Sequence, residues 1–320
     1  MDIKQQEEEI KKKFGKNRTN STRARFVSSC NKAVLFVKQL NYPKPGNFLF
    51  RYNHDTQTVI QMSGDHTLMG KTIAVWDNML YTIHNGCGDP LYNDIIEFEL
   101  DYSANTFAFV RSIAMGNTGV TRACGTNVGA TMRDAGNIII MWYASGSGYL
   151  EVTDITGSLA QQAQPAYFTP YVPDGDVVYL ADQNQILVSN VTSASKLTLY
   201  DLPTGNVVDD YAWQGNAATN VRSDALYLYD GKIYAAMWEN NAPQGPNGIW
   251  EIIVSGNNIS LGNQWDPNQH GHGGDFTKKW TDADSGCVST NSGNPVTTPC
   301  YNIGDIGPGG GIVFALPNTG

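Results

Sequence analysis

The chain has 320 residues, 41% of them hydrophobic and 16% charged, with 33 glycines, 14 prolines and a net charge of −9. Such a turn-rich globular chain with few charges leans towards an all-β architecture, and no run approaches the 18 consecutive apolar residues of a membrane span. The charge is uneven: residues 1–25 hold eight Lys/Arg against four Asp/Glu, whereas the remainder holds 13 against 26. A basic arm therefore precedes an acidic body that repels nucleic acid.

The arm covers residues 1–29. Its opening, "MDIKQQEEEIKKKFGKNR", lacks the apolar core of a secretory signal. Ile3, Ile10 and Phe14 follow i, i+7, i+11 and would form one narrow stripe on a helix, suited to docking or self-association.

Between residues 30 and 266 the pattern becomes periodic. Five segments run apolar or alternate and then reach a polar turn: "FLFRYNHDTQ" (48–57), "IIEFELDYSAN" (95–105), "YLEVTDITGS" (149–158), "LTLYDLPTGN" (197–206) and "IWEIIVSGNN" (249–258). A further strand lies upstream of each: "AVLFVKQL" (33–40), "MLYTIHNG" (79–86), "NIIIMWYAS" (137–145), "NQILVSNV" (184–191) and "GKIYAAMWEN" (231–240). Their starts are 46, 58, 47 and 47 residues apart. Additional strands flank each pair, as in "TIAVW" (72–76) and "TFAFVRSIA" (106–114). Four short antiparallel strands per repeat, without helical stretches between, predict a β-propeller of five blades. A large β-sandwich would explain the strands but not the period.

Catalytic motifs are missing from the sequence: it contains no G-x-S-x-G elbow and no G-x-x-x-x-G-K-[ST] loop. "DADSG" (282–286) resembles half a calcium loop, but Gly293 occupies the place of the bidentate Glu. His84, Trp142, Trp238 and Glu239 fall near the ends of equivalent strands, where a propeller gathers side chains at one mouth of its channel. Rings there would suit a sugar or a cation, and the competing reading is aromatic packing between blades. The five cysteines give no framework, although Cys287 and Cys300 bracket a loop that would close in an oxidising setting.

Residues 267–300 read as a Gly/Asn/Ser-rich linker. Within it, "NQHGHGGD" (268–275) sets His270 and His272 at i, i+2, on one side of an extended segment. Two imidazoles make no closed site, but three chains around an axis would supply six, enough for an octahedral transition metal. The pair resembles the iron-binding turns of trimeric phage fibre tips, and the competing reading is a Gly/His linker.

The segment 301–320 begins "YNIGDIGPGGGIVFAL", whose glycines and proline allow two close reversals before the strand Gly311–Leu316. Its apolar residues Ile312, Val313 and Phe314 want a partner, in the propeller or in another subunit. "IGDIGPGGGIVF" resembles a module of structural and fibre proteins of tailed phages, marine ones especially, and of some bacterial surface proteins. There it begins a small β domain, and Ala315 stands where the module usually has an aromatic. The resemblance covers about fifteen residues. It implies a virion component, assembled in the host cytoplasm: a tail-fibre, spike or baseplate-associated subunit that is homo-oligomeric, with a trimer favoured. Its partners would be other virion proteins and a cell-surface glycan. A glycan-active propeller enzyme and a lectin-like bacterial surface module are the alternatives.

Overall fold

A computed structural model describes residues 33–40, 46–54, 56–70, 72–84, 94–115, 127–144, 147–162, 167–169, 176–189, 197–212, 221–229, 231–239, 248–266 and 289–290. By contact density the chain divides at Asn31/Lys32, and every described residue belongs to the second unit. Ile3, Ile10 and Phe14, His270 and His272, Ile312, Val313 and Phe314, and all the cysteines lie outside the described residues.

The described chain is nearly all strand and forms a β-propeller of antiparallel meanders. The first meander has β1 (Ala33–Leu40), β2 (Gly46–Asn53) and β3 (Thr58–Gln61). The second has β4 (Ile73–Trp76), β5 (Met79–Ile83), β6 (Ile95–Asp101) and β7 (Thr106–Met115). The third has β8 (Asn127–Asp134), β9 (Asn137–Ala144), β10 (Ser147–Asp154) and a split outer edge, β11 (Leu159–Gln162) and β12 (Tyr167–Thr169), both paired with β10. The fourth has β13 (Val177–Leu180), β14 (Gln185–Ser189), β15 (Leu197–Asp201) and β16 (Val207–Tyr211). The fifth has β17 (Val221–Tyr229), β18 (Lys232–Glu239), β19 (Gly248–Ser255) and β20 (Asn258–Asp266).

In the first meander the innermost place, beside β1, is taken by a distant strand. β21 (Ser289–Thr290) pairs antiparallel with β1 through Val37↔Ser289 and Phe36↔Thr290. This strand comes from the stretch expected to be a linker. The innermost strands then touch in a cycle: β4 meets β8, β8 meets β13, β13 meets β17, β17 meets β21, and β21 meets β4. At the β8–β13 step the backbones come close: a Cβ on Gly129 would sit 3.1 Å from the Val177 nitrogen, so a larger residue there would push β13 away by a few tenths of an ångström.

Burial follows from this layering. Strands with neighbours on both sides lose the polar alternation of a one-sided sheet, so β14, "QILVS", is buried throughout, whereas β16, "VVDDY", is exposed to half-buried. Each seam between neighbouring meanders encloses its own apolar cluster. Leu49 and Phe98 share the cluster at the first–second seam, Ile83 and Ile138 that at the second–third, and Met141 and Ile186 that at the third–fourth. Leu187 and Leu226 share the cluster at the fourth–fifth seam, and Phe36 and Tyr227 that at the fifth–first. Tight hairpins join the strands, several through a residue with positive φ: Asp77, Asn105 and Asn184, types that tolerate this region, and Gln57, which does so less readily.

Candidate functional site

His84 and Trp142 do occupy equivalent places. Counting from the β4–β5 and β8–β9 hairpins, each is the sixth residue of the ascending stretch. The same count from the β17–β18 hairpin reaches Met237, so Trp238 and Glu239 stand one and two residues further on. The intra-strand register thus places Trp238 opposite Arg222 and Glu239 opposite Val221, and their side chains lie outside the described residues.

Neither described member opens as an aromatic floor at a mouth. Trp142 is fully buried, stacks on Tyr149 at 4.4 Å and 11°, and donates its Nε1–H to Glu151 Oε2 at 3.2 Å. Glu151 is itself buried and also accepts from Thr153 Oγ1 at 3.1 Å. His84 is buried too, and its backbone N–H donates to the Asp94 carbonyl at 2.9 Å. The Asp94 carboxyl is pushed up from its ordinary value by burial, against the pull of hydrogen bonds from Met115 and Ser112 and of the His84 charge. For Trp142 the geometry is that of packing within the sheet.

The densest gathering of polar and aromatic side chains lies instead where the fifth meander meets the first. His54, just past β2, is 1% exposed and sandwiched between Tyr229 (4.0 Å, 30°) and Trp265 (4.3 Å, 8°). Tyr52, Tyr227 and Tyr234 approach the same imidazole edge-on. The Tyr227 hydroxyl and His54 Nδ1 are 3.3 Å apart. Tyr52 Oη donates to Asp266 Oδ2 at 2.9 Å, and Asp266 is 1% exposed. Burial first, then the Asp266 charge, pushes the Tyr52 hydroxyl far above the ordinary phenol value.

A β-bulge makes this cluster. In β20, Asp266 stands opposite Ile249 and Gln264 opposite Trp250, which leaves Trp265 as the extra residue. A regular strand would send residues 265 and 266 to opposite faces. With the bulge, both reach the first meander, Trp265 onto His54 and Asp266 onto Tyr52. Sequence reading missed this group because its two halves, one around His54 and the other beginning at Tyr227, are more than 170 residues apart. The available signal was the i, i+2 aromatic pair Tyr227 and Tyr229 beside Tyr234, which puts rings on one face of a hairpin.

The other seams use charged groups in the same structural way. Arg111 pairs with Glu97 and donates to the carbonyls of Gly157 (3.0 Å) and Ile155 (3.1 Å) in the third meander. Arg51 donates to the Tyr102 carbonyl at 2.7 Å and to Asn105 Oδ1 at 3.0 Å. Asp176, fully buried, accepts from the backbone N–H of Val177 and of Leu226 across the fourth–fifth seam. Asp209 accepts from the Ile259 N–H at 2.8 Å. Among the described residues, no group of three or more His, Cys, Asp or Glu could hold a metal ion.

No protein-family model matches the chain, and no curated protein is similar to it. Solved structures are similar at low identity. A candidate 6-phosphogluconolactonase from Bacteroides uniformis is 11% identical with a TM-score of 0.45, the alignment covering 72% of this chain and 81% of that one. A protein from Lactobacillus plantarum is 10% identical with a TM-score of 0.46, covering 76% and 84%. The Dos1 propeller is 8% identical with a TM-score of 0.37, covering 68% and 54%.

Proposed function

We propose that this chain is a structural subunit of a tailed-phage virion, a tail-fibre, spike or baseplate-associated protein whose five-bladed ring serves assembly and host-surface attachment. The observation that carries the reading is the module "IGDIGPGGGIVF" at residues 303–314, which resembles one found in such proteins. The use of polar groups in the ring supports its scaffold character. Glu97, Asp176, Asp209 and Asp266 each hold a neighbouring meander by a direct bond or through a bound arginine, so hydrogen bonding commits them to shape. In this role the subunit is a homo-oligomer, a trimer by preference, and three copies of His270 and His272 would offer six imidazoles to a transition metal.

The test is mass spectrometry of purified particles from a phage lysate in which this chain is expressed. Peptides from the ring, at a stoichiometry comparable with known tail proteins, are the expected result. Their absence from particles, with the chain abundant in the lysate, would overturn the proposal.

A further inference from the structure

Trp265 combines exposure with immobility. It is 40% exposed although one face of its indole lies flat on His54, which is itself clamped from behind by Tyr229. Tyr234 meets the indole edge-on at 6.2 Å. The bulge in β20 brings the ring there, and the side-chain amide of Gln57 fixes its backbone by donating to the Trp265 carbonyl at 3.2 Å. Gln57 does this from φ 53°, whereas the corresponding outer hairpins β6–β7, β15–β16 and β19–β20 carry Asn105 (φ 53°), Gly205 (φ 70°) and Gly256 (φ 59°). A glutamine in the left-handed region is a local strain, and a turn that needed only to reverse would be relieved by Asn or Gly. The residue in this turn is one whose side chain reaches the Trp265 backbone.

Phe109 makes a useful contrast. It is more exposed, at 50%, but its neighbours Ala108 and Val110 are apolar or small and it meets Phe98 only edge-on. The chain flanking Trp265, and that flanking its partner Gln57, carries amides and hydroxyls. Gln57, Thr56 and Thr58 come from the β2–β3 turn, Asn263 and Gln264 from β20, and all five are exposed. Thr56 and Thr58 already share a hydrogen bond between their hydroxyls at 2.8 Å.

We infer that the fifth–first seam presents a saccharide-binding platform, with the outer face of Trp265 as its floor. The C–H face of a pyranose carries partial positive charge and settles on the electron-rich face of an indole, while its rim hydroxyls seek amide and hydroxyl partners. An immobilised ring loses little entropy on binding, which matters for a shallow site with few contacts. This platform gives the host-attachment half of the reading above a location, away from the channel mouth where sequence spacing had put a sugar site.

The test uses the full chain, fluorescently labelled, on an array of pyranose oligosaccharides and bacterial surface polysaccharides, followed by titration calorimetry with the best-bound oligosaccharide. Wild-type chain should bind at least one pyranose class, and Trp265→Ala should weaken it on the order of thirtyfold. Trp265→Phe keeps a flat ring on His54 and covers the case in which the alanine variant fails to fold. It should weaken binding about threefold with an unchanged circular dichroism spectrum. Failure of the folded wild-type chain to bind any saccharide, or equal affinity in both variants, would overturn the platform. Trp265-dependent capture of a surface protein without saccharide binding would overturn it as well. Saccharide binding by a chain missing from virions would remove the virion reading and leave the platform standing.

Discussion

Two seams of the ring solve the same problem with different materials. The second and third meanders are joined by backbone: β7 and β11 pair in parallel through Ala114↔Leu159 and Met115↔Ala160, making one continuous sheet of both. Arg111 adds a clasp to two carbonyls of the β10–β11 turn. The fifth and first meanders are joined by side chains, the His54 sandwich and the Tyr52–Asp266 bond, and by the borrowed strand β21. The difference tracks sequence separation. Arg111 reaches groups 44 and 46 residues away, whereas Tyr52 and Asp266 are 214 apart. The second and third meanders are tethered by short chain and need little more than edge pairing. The closing seam must offset the entropy of bringing distant parts of the chain together, and it does so with a dense, desolvated cluster.

Removing β21 should break the comparison most severely. A chain ending at residue 286 loses the strand paired with Phe36 and Val37 and uncovers β1, whose residues Val34 to Val37 are fully buried. The expected loss is about 4 kcal/mol, roughly 10 °C in thermal midpoint, with a broadened transition in differential scanning calorimetry. A peptide spanning 283–296, added in excess, should recover part of that loss by mass action. An unchanged midpoint would show that the ring does not depend on this strand.

Tyr52→Phe is a finer cut at the same seam. It removes one oxygen and with it the Tyr52 hydroxyl that donates to the buried Asp266 carboxylate, for an expected loss of about 2 kcal/mol. Because burial and the Asp266 charge hold the Tyr52 proton far above the ordinary phenol range, the hydroxyl stays a donor through mildly alkaline conditions. The difference between variant and wild type, followed by chemical denaturation, should therefore be the same at neutral and mildly alkaline pH.

The fold was legible because a repeat is a global signal carried by local pattern. "NIIIMWYAS" and "GKIYAAMWEN" each announce a buried strand, and their spacing announces the next one. The inner strand of the first meander was not legible, because Ser289–Thr290 is a polar dipeptide among turn residues and takes its identity from pairing with β1. Spacing also found the equivalence of His84 and Trp142, but spacing carries no information on burial, and Trp142 proved to be enclosed against Tyr149 and Glu151. The His54 cluster escaped notice for two physical reasons. Its members meet only on ring closure, and the bulge at Trp265 breaks the alternation from which strand faces are read.

The smallest expected effect lies at the backbone-joined seam. Arg111→Ala deletes the ion pair with Glu97 and two bonds to the third meander, yet the Arg111 side chain is 39% exposed, and water can replace much of what it gives. The β7–β11 pairing remains, so the expected loss is about 1 kcal/mol, half that of the single oxygen in Tyr52→Phe. Most of it should come from Glu97, which is 8% exposed and keeps a long contact, 3.4 Å, from the Tyr81 hydroxyl. Adding Glu97→Gln should then restore stability in the Arg111→Ala background, because a neutral amide bears burial better than an unpaired carboxylate. If Arg111→Ala instead matches or exceeds Tyr52→Phe in denaturation experiments, side chains hold both seams and the contrast between backbone joining and side-chain closure fails.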